Sequence, residues 1–278
     1  MSPSRHKGSA FEPAGPTIAV CYFGITRSLE HTIDSIRANV IAPAAALGEV
    51  RVFTHVFDQN RLDNPRSGEL GAMRVEEHKL LDSDWLSVEQ PDECLAARGF
   101  TELAHGGDFW HDGGKSLRNL VHQLHSLDVV TRAALAWQPD VVVYCRPDLR
   151  YLDSLEPWLK HSVATPAPTV WVPNWQHWGG FNDRFAICSS AAAAAYGSRI
   201  DFALDYVKTT RRPLHGERLL AWVLKREGIA VKTMTARAVR VRIGGREVRE
   251  RFLPGWTDLP VEWFWQLVRW LRTALRRR

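Results

Sequence analysis

Cysteine is scarce in this sequence: four in 278 residues, Cys21, Cys94, Cys145 and Cys188, with no C-x-x-C pair among them. That spacing argues against a disulfide framework or a zinc ribbon and predicts buried thiols in a reducing cytoplasm. Also missing is any apolar run approaching the roughly 18 residues that a spanning helix needs. Residues 1–15 lack the apolar core of a secretory leader. The expectation is a cytoplasmic chain with a disordered stretch over 1–15. No internal repeat is visible. What is present reads as globular, with 45% apolar and 24% charged residues. The length suits one large α/β domain or two small ones, at about 100–200 residues each.

Net charge is small and unevenly placed. The chain has 36 Lys+Arg against 31 Asp+Glu, a formal +5. Residues 240–278 hold ten arginines and four acids, a net +6, so +5 less +6 leaves −1 for residues 1–239. Nucleic-acid enzymes more often spread positive charge over a concave face of the folded body. Nucleic acid is therefore not an expected partner, and the basic tail calls for its own explanation.

The apolar run 17–23 (T-I-A-V-C-Y-F) reads as a strand buried on both faces, ending at Gly24. Ser28 then offers an N-cap to a helix whose apolar positions, Leu29, Ile33, Ile36 and Val40, recur until Pro43. A second strand at 50–57 completes a β-α-β order and predicts a parallel crossover. Residues 60–114 read as loops and small elements, with a short helix at 74–81 and a short strand near 85–88. The glycine-rich segment 105–114 has the composition of a mobile loop near a ligand. The clearest helix is 116–137, whose apolar stripe (Leu117, Leu120, Val121, Leu124, Leu127, Val130) adjoins an uncharged polar stripe (Ser116, Asn119, Gln123, Ser126). Further strands are expected at 141–148, 170–173, 182–189 and 229–243, with helices at 190–207 and 215–227.

In an open α/β sheet, ligands bind beyond the carboxyl ends of the strands. Residues standing there are Gly24 and Arg27, then His55 and Asp58, then Arg146, Asp148 and Asp153. Two arginines and several carboxylates at neighbouring strand ends are suited to a diphosphate. Guanidiniums bind phosphate oxygens bidentately, and a carboxylate can hold a bridging divalent ion. For any one of these residues a surface ion pair or a turn remains the plainer role.

The strings F-G-I-T-R-S-L-E-H-T-I-D-S-I-R-A-N-V (23–40), V-R-V-F-T-H-V-F-D (50–58), S-L-R-N-L-V-H-Q-L-H-S-L (116–127), V-V-V-Y-C-R-P-D-L-R-Y-L (141–152), G-G-F-N-D-R-F-A-I (179–187) and E-R-L-L-A-W-V-L (217–224) belong to a longer pattern. Over about residues 17–242 it resembles bacterial glycosyltransferase-like proteins of surface-polysaccharide (lipopolysaccharide or capsule) synthesis. The resemblance implies a GT-A-like, Rossmann-like fold, with a mostly parallel central sheet flanked by helices, over residues 16–243. It also implies a nucleotide-sugar donor and a glycan or lipid-linked acceptor. Asp148 falls on the last acid of the family's D-x-D metal motif, and Arg146 stands where the first acid would be. A tightly held Mn or Mg ion is thereby disfavoured, with Asp148 and Asp153 as its remaining candidate ligands. Arg146 becomes a candidate for neutralising the leaving diphosphate. The resemblance also sets Arg27, Ser116 and Asn119 near the nucleotide, and Asn182 and Asp183 near the sugar and acceptor.

Glycosyl transfer needs charge stabilisation on the leaving group and a base for the acceptor hydroxyl. Arg146 and Arg27 suit the first task. Asp183 is the expected base, with Glu217 in reserve, and Trp175 and Trp178 offer flat faces to sugar rings or pack the rim of their loop. G-G-K-S (113–116) is not a phosphate loop, because Phe109 stands where that motif needs glycine, although Lys115 and Ser116 open a helix that favours anions. His122 and His125 lack a third metal ligand nearby in sequence.

Residues 244–278 form the basic tail. Within it, 261–278 has one apolar helical face flanked by Trp263, Trp265 and Trp270 and ends in three arginines, a pattern suited to an anionic membrane surface. Docking on the body or on a second subunit would hide the same face. The preferred reading is a glycosyltransferase working at the cytoplasmic membrane face. The alternatives are a non-catalytic nucleotide-sugar or glycan-binding scaffold of the same fold, and a nucleotidyltransferase. The last is disfavoured because no glycine-rich, lysine-containing loop follows the first strand.

Overall fold

The computed structural model describes residues 15–252 except 65–68, 75 and 166. The expectations for residues 1–14 and for the tail helix at 261–278 lie outside the described residues. The first half of the chain supplies β1 (Thr17–Gly24), α1 (Leu29–Ile36), α2 (Ala42–Ala45), β2 (Glu49–Phe57), β3 (Arg61–Asn64), β4 (Glu69–Ala72), β5 (Trp85–Glu89), α3 (Glu93–Ala97), α4 (Phe100–His105) and α5 (Lys115–Ala136). The second half supplies β6 (Val141–Cys145), β7 (Leu149–Tyr151), α6 (Glu156–Val163), β8 (Thr169–Pro173), β9 (Ala186–Ser189), α7 (Ser190–Gly197), α8 (Ala203–Thr210), α9 (Gly216–Arg226), β10 (Ala230–Met234) and β11 (Ala238–Arg240).

Seven strands form the central sheet in the order β10-β8-β9-β6-β1-β2-β5. All pair in parallel except β9, which is antiparallel to both β6 and β8. This is the mostly parallel α/β architecture expected of a GT-A-like chain. The continuous apolar run of β1 follows from burial on both sides. Ile18, Val20 and Tyr22 point into one core with Leu29, Ile33 and Ile36 of α1, and Ala19, Cys21 and Phe23 into another with Leu127, Val130 and Ala134 of α5. Two small antiparallel pairs, β3/β4 and β7/β11, stand apart from the sheet. Among the described residues no helix is long and apolar enough to cross a membrane.

Several boundaries differ from the sequence expectation for local reasons. The Ser28 hydroxyl donates to the Val241 carbonyl rather than capping α1, and Glu77 accepts from the Leu29 N–H instead. Pro43 does not end the first helix. A five-residue π segment (Arg37–Ile41) leads into α2, and the Asn39 carbonyl, which Pro43 has no N–H to reach, accepts instead from the Leu155 N–H. The stretch 60–114 holds the β3/β4 hairpin and the helices α3 and α4, none of which periodicity separates from loop. The expected strand at 182–189 is confined to β9, because the preceding backbone turns so that the Arg184 N–H donates to the Asn182 side chain.

Candidate active site

Because β1, β2 and β6 run parallel, their carboxyl ends share one edge of the sheet, and a cavity of about 310 Å³ opens there. That volume lies at the lower end of small-molecule sites. Gly24 to Arg27 form one wall, Arg146 another, and the start of α9 (Gly216, Glu217) with Asp183 and Arg184 a third. Ser116, Asn119 and Gln123 line it from α5, so the uncharged stripe of that helix faces the cavity, while the fourth member, Ser126, supports it from below. The Ser126 hydroxyl donates to the His55 carbonyl, and its oxygen accepts from the Gly24 N–H and from His55 Nδ1. Gly24 itself adopts φ +96°, which an L side chain rarely allows.

Five arginines line the cavity: Arg27, Arg146, Arg184, Arg240 and Arg242. They are held by three acids set behind them. Asp148 accepts from Arg27 (2.5 Å) and bidentately from Arg146 (2.9 and 2.8 Å). Glu69 pairs with Arg27 (3.1 Å) and Arg242 (2.7 Å), and Glu250 pairs with Arg184 (3.2 Å) and Arg240 (2.6 Å). Burial disfavours the Asp148 carboxylate, but Arg146 and Arg27 outweigh it and hold the group well below the usual carboxylate range. Burial likewise opposes the Arg146 charge, and Asp148 overcomes it and raises its pKa. For Arg184, burial and then the neighbouring Arg240 lower the pKa to about 10; for Arg242, burial and then Arg27 do the same, to about 10. These guanidiniums are crowded by their own kind.

On the third wall, Asp183 Oδ2 accepts from the buried Arg199 (3.0 Å) and, at longer range, from Gln123 (3.5 Å). No described residue bonds Oδ1, which leaves that oxygen for a ligand. Glu217 Oε2 lies 3.2 Å from His215 Nδ1. Gly180 makes the approach of the aromatic loop possible: a Cβ there would stand 1.9 Å from the Glu217 carbonyl oxygen, to which the Phe181 N–H donates.

Of the residues expected at the site, the cavity brings together Gly24, Arg27, Ser116, Asn119, Arg146, Trp178, Asp183 and Glu217. Asp148 stands directly behind Arg27 and Arg146, and five others are elsewhere. Trp175 does not offer a face to a sugar: it is fully buried, its indole N–H donates to the Ala236 carbonyl, and it packs on Phe185 and Phe252. Trp178, three residues on, is 53% exposed. Asn182 is likewise buried, its amide spent on the Trp175 carbonyl and the Arg184 N–H. His55 lies beneath the floor, with burial lowering its pKa to about 4. Asp58 faces solvent and accepts from Gln90. Asp153 is held away from the cavity by Arg237, which gives it three N–H bonds. Ser116 lines the cavity, but its N–H and hydroxyl are both given to Asp112, so this helix start presents less to an anion than its sequence promises.

A divalent ion does not fit the D-x-D position. It would require free carboxylate oxygens, and both oxygens of the fully buried Asp148 are engaged by guanidiniums. A second group with metal-like spacing, His55, Glu89 and His125, lies beneath Phe57. There Arg98 donates to His125 Nδ1, which fixes the ring so that Nε2–H donates to Glu89 (2.8 Å). The nitrogen a metal would need is thus already used.

Sequence reasoning missed Arg184, Arg240, Arg242 and Glu69. Arg240 and Arg242 stand two apart within the expected strand 229–243, a signal that they share one side of an extended segment. Glu69 carried no signal, since only the hairpin places it between Arg27 and Arg242.

No family model matches this chain, and no curated protein matches it. Among solved structures it is similar to the apo form of mouse xyloside xylosyltransferase 1, at 9% identity and a TM-score of 0.41, over 78% of this chain and 84% of that one. The α/β class rests on the sheet itself.

Proposed function

We propose that the protein is a glycosyltransferase that moves a sugar from a nucleotide-sugar donor to the hydroxyl of an acceptor glycan or lipid-linked saccharide. The observation that supports this reading most is a single cavity at the strand ends in which a wall of arginines meets a carboxylate with a free oxygen. Arg27, Arg146 and Arg242 receive the diphosphate. As the bond from the anomeric carbon to the diphosphate oxygen breaks, the nucleoside diphosphate leaves with the electron pair, and these guanidiniums stabilise the growing charge in a site withdrawn from water. The acceptor oxygen bonds to the anomeric carbon, and its proton passes to Asp183 Oδ1. Arg199 and Gln123, both on Oδ2, keep the carboxylate turned toward the acceptor. Trp178 and Trp110 line the same cavity and supply flat surfaces for a sugar ring.

The acceptor is taken to be membrane-linked through the basic tail, an expectation that liposome flotation with and without residues 257–278 tests. The site is tested with Asp183→Asn. In the presence of a donor that the wild type turns over, transfer should fall by about 100- to 10,000-fold while donor affinity changes little. Full activity in Asp183→Asn would remove the base assignment. Tight donor binding by the wild type without transfer or hydrolysis would favour the non-catalytic scaffold, a reading that the engagement of Asp148 by two arginines keeps in view.

A further inference from the structure

We infer that the arginine belt takes the place of the divalent ion, so that the nucleoside diphosphate is bound without metal, with Arg240 and Arg242 as binding residues alongside Arg27 and Arg146. The inference rests on the nucleotide-sugar reading and deepens it.

Charge and geometry carry it. Five guanidiniums line the cavity, and three carboxylates anchor them. With Arg199, Asp183 and Glu217 included, guanidiniums still outnumber carboxylates six to five around the cavity. The three anchoring acids keep 4% or less of their side-chain surface, as does Arg27, whereas Arg184 and Arg242 keep 10% each and Arg146 and Arg240 keep 17% and 26%. The acids therefore stand behind, and Arg146, Arg184, Arg240 and Arg242 stand in front. An anion entering the cavity meets N–H groups first.

Crowding points the same way. Arg184 and Arg242 are each destabilised by burial and by a neighbouring guanidinium, a cost that a bound anion would relieve. The Nε of Arg27 is buried with no hydrogen-bond partner, although the same side chain is fixed by Asp148 and Glu69. Placing Mg²⁺ or Mn²⁺ beside Asp148 would instead set a dication against Arg27 and Arg146, both already on that carboxylate.

The test is titration calorimetry of the full chain with ADP, GDP, UDP and CDP, each in EDTA and again with Mn²⁺ or Mg²⁺. The expected result is that at least one nucleoside diphosphate binds in EDTA with an affinity within about threefold of that with metal. Arg242→Gln should weaken it about 10- to 100-fold, with metal present or absent. Arg240→Gln serves as the second variant, since Glu250 keeps Arg184 as its partner and folding is disturbed least; thermal melting reports on folding in both. Binding that appears only with Mn²⁺ or Mg²⁺ overturns this inference and leaves the glycosyltransferase reading standing. Wild-type affinity in folded Arg242→Gln and Arg240→Gln also overturns it. No binding of any of the four under either condition overturns the nucleotide-sugar reading, and this inference with it.

Discussion

The group of His55, Glu89, His125 and Arg98 and the belt of Arg27, Arg146, Arg184, Arg240 and Arg242 are both built from charged or titratable side chains largely withdrawn from water, yet only the belt faces a cavity. In the histidine group Arg98 gives its protons to His125, Asp128 and Asp201, and His125 gives its own to Glu89, while His55 Nε2 is buried without a hydrogen-bond partner. In the belt the donors exceed the acceptors, and the excess points into open space. The contrast teaches how to read buried charge. Buried titratable groups with no cavity beside them serve the packing of their neighbourhood, and a surplus of one sign beside a void is the basis on which we propose a ligand of the other sign.

Breaking the anchor of the belt should give the largest effect. Asp148→Ala leaves Arg27 and Arg146 buried without their shared acid and should cost about 3–5 kcal/mol in urea denaturation. A loss below about 1 kcal/mol would show that the belt does not depend on this carboxylate.

The histidine group should instead reveal itself through pH. Burial holds His55 neutral in the folded protein, lowering its pKa from the usual 6.5 to about 4, against an opposing pull from Glu89 and with a further lowering from His125. The unfolded chain therefore binds a proton that the folded one refuses. Stability is full above about pH 6.5 and declines as pH falls from there toward about 4, by about 2 kcal/mol between pH 7 and pH 5. His122, also lowered by burial, adds in the same direction. Denaturation curves across that window check the slope, and His55→Gln should flatten it. An unchanged slope in that variant would assign the pH dependence to other groups.

The smallest effect sharpens the contrast from the cavity side. Trp178→Ala removes a large side chain that is mostly in solvent, so stability should stay within about 0.5 kcal/mol of the wild type. A larger loss would mean that Trp178 serves the fold, as Trp175 does.

Parts of the cavity were legible in the chain. The continuous apolar run of β1, the arginines at the ends of β1 and β6, and the polar stripe of α5 each carry a local pattern, and each lies where that pattern points. Trp175 and Trp178 show the limit. They are the same residue type in one short loop, and no periodicity says which of them turns inward; the cores on either side decide that. Asp148 shows another limit, since its place after the end of β6 was readable while its two arginine partners were not readable together.

The amino-acid order alone determined the α/β class, the parallel crossover and the strand ends where the cavity opens, because hydrophobic period and turn residues act over a few positions of chain. Only tertiary structure decided which charges meet. Arg27 and Asp148 are 121 residues apart, and Glu69 reaches Arg242 through a hairpin that sequence pattern does not reveal. Coulombic pairing depends on distance in space, and that distance is set by the packing of the whole sheet rather than by neighbours along the chain.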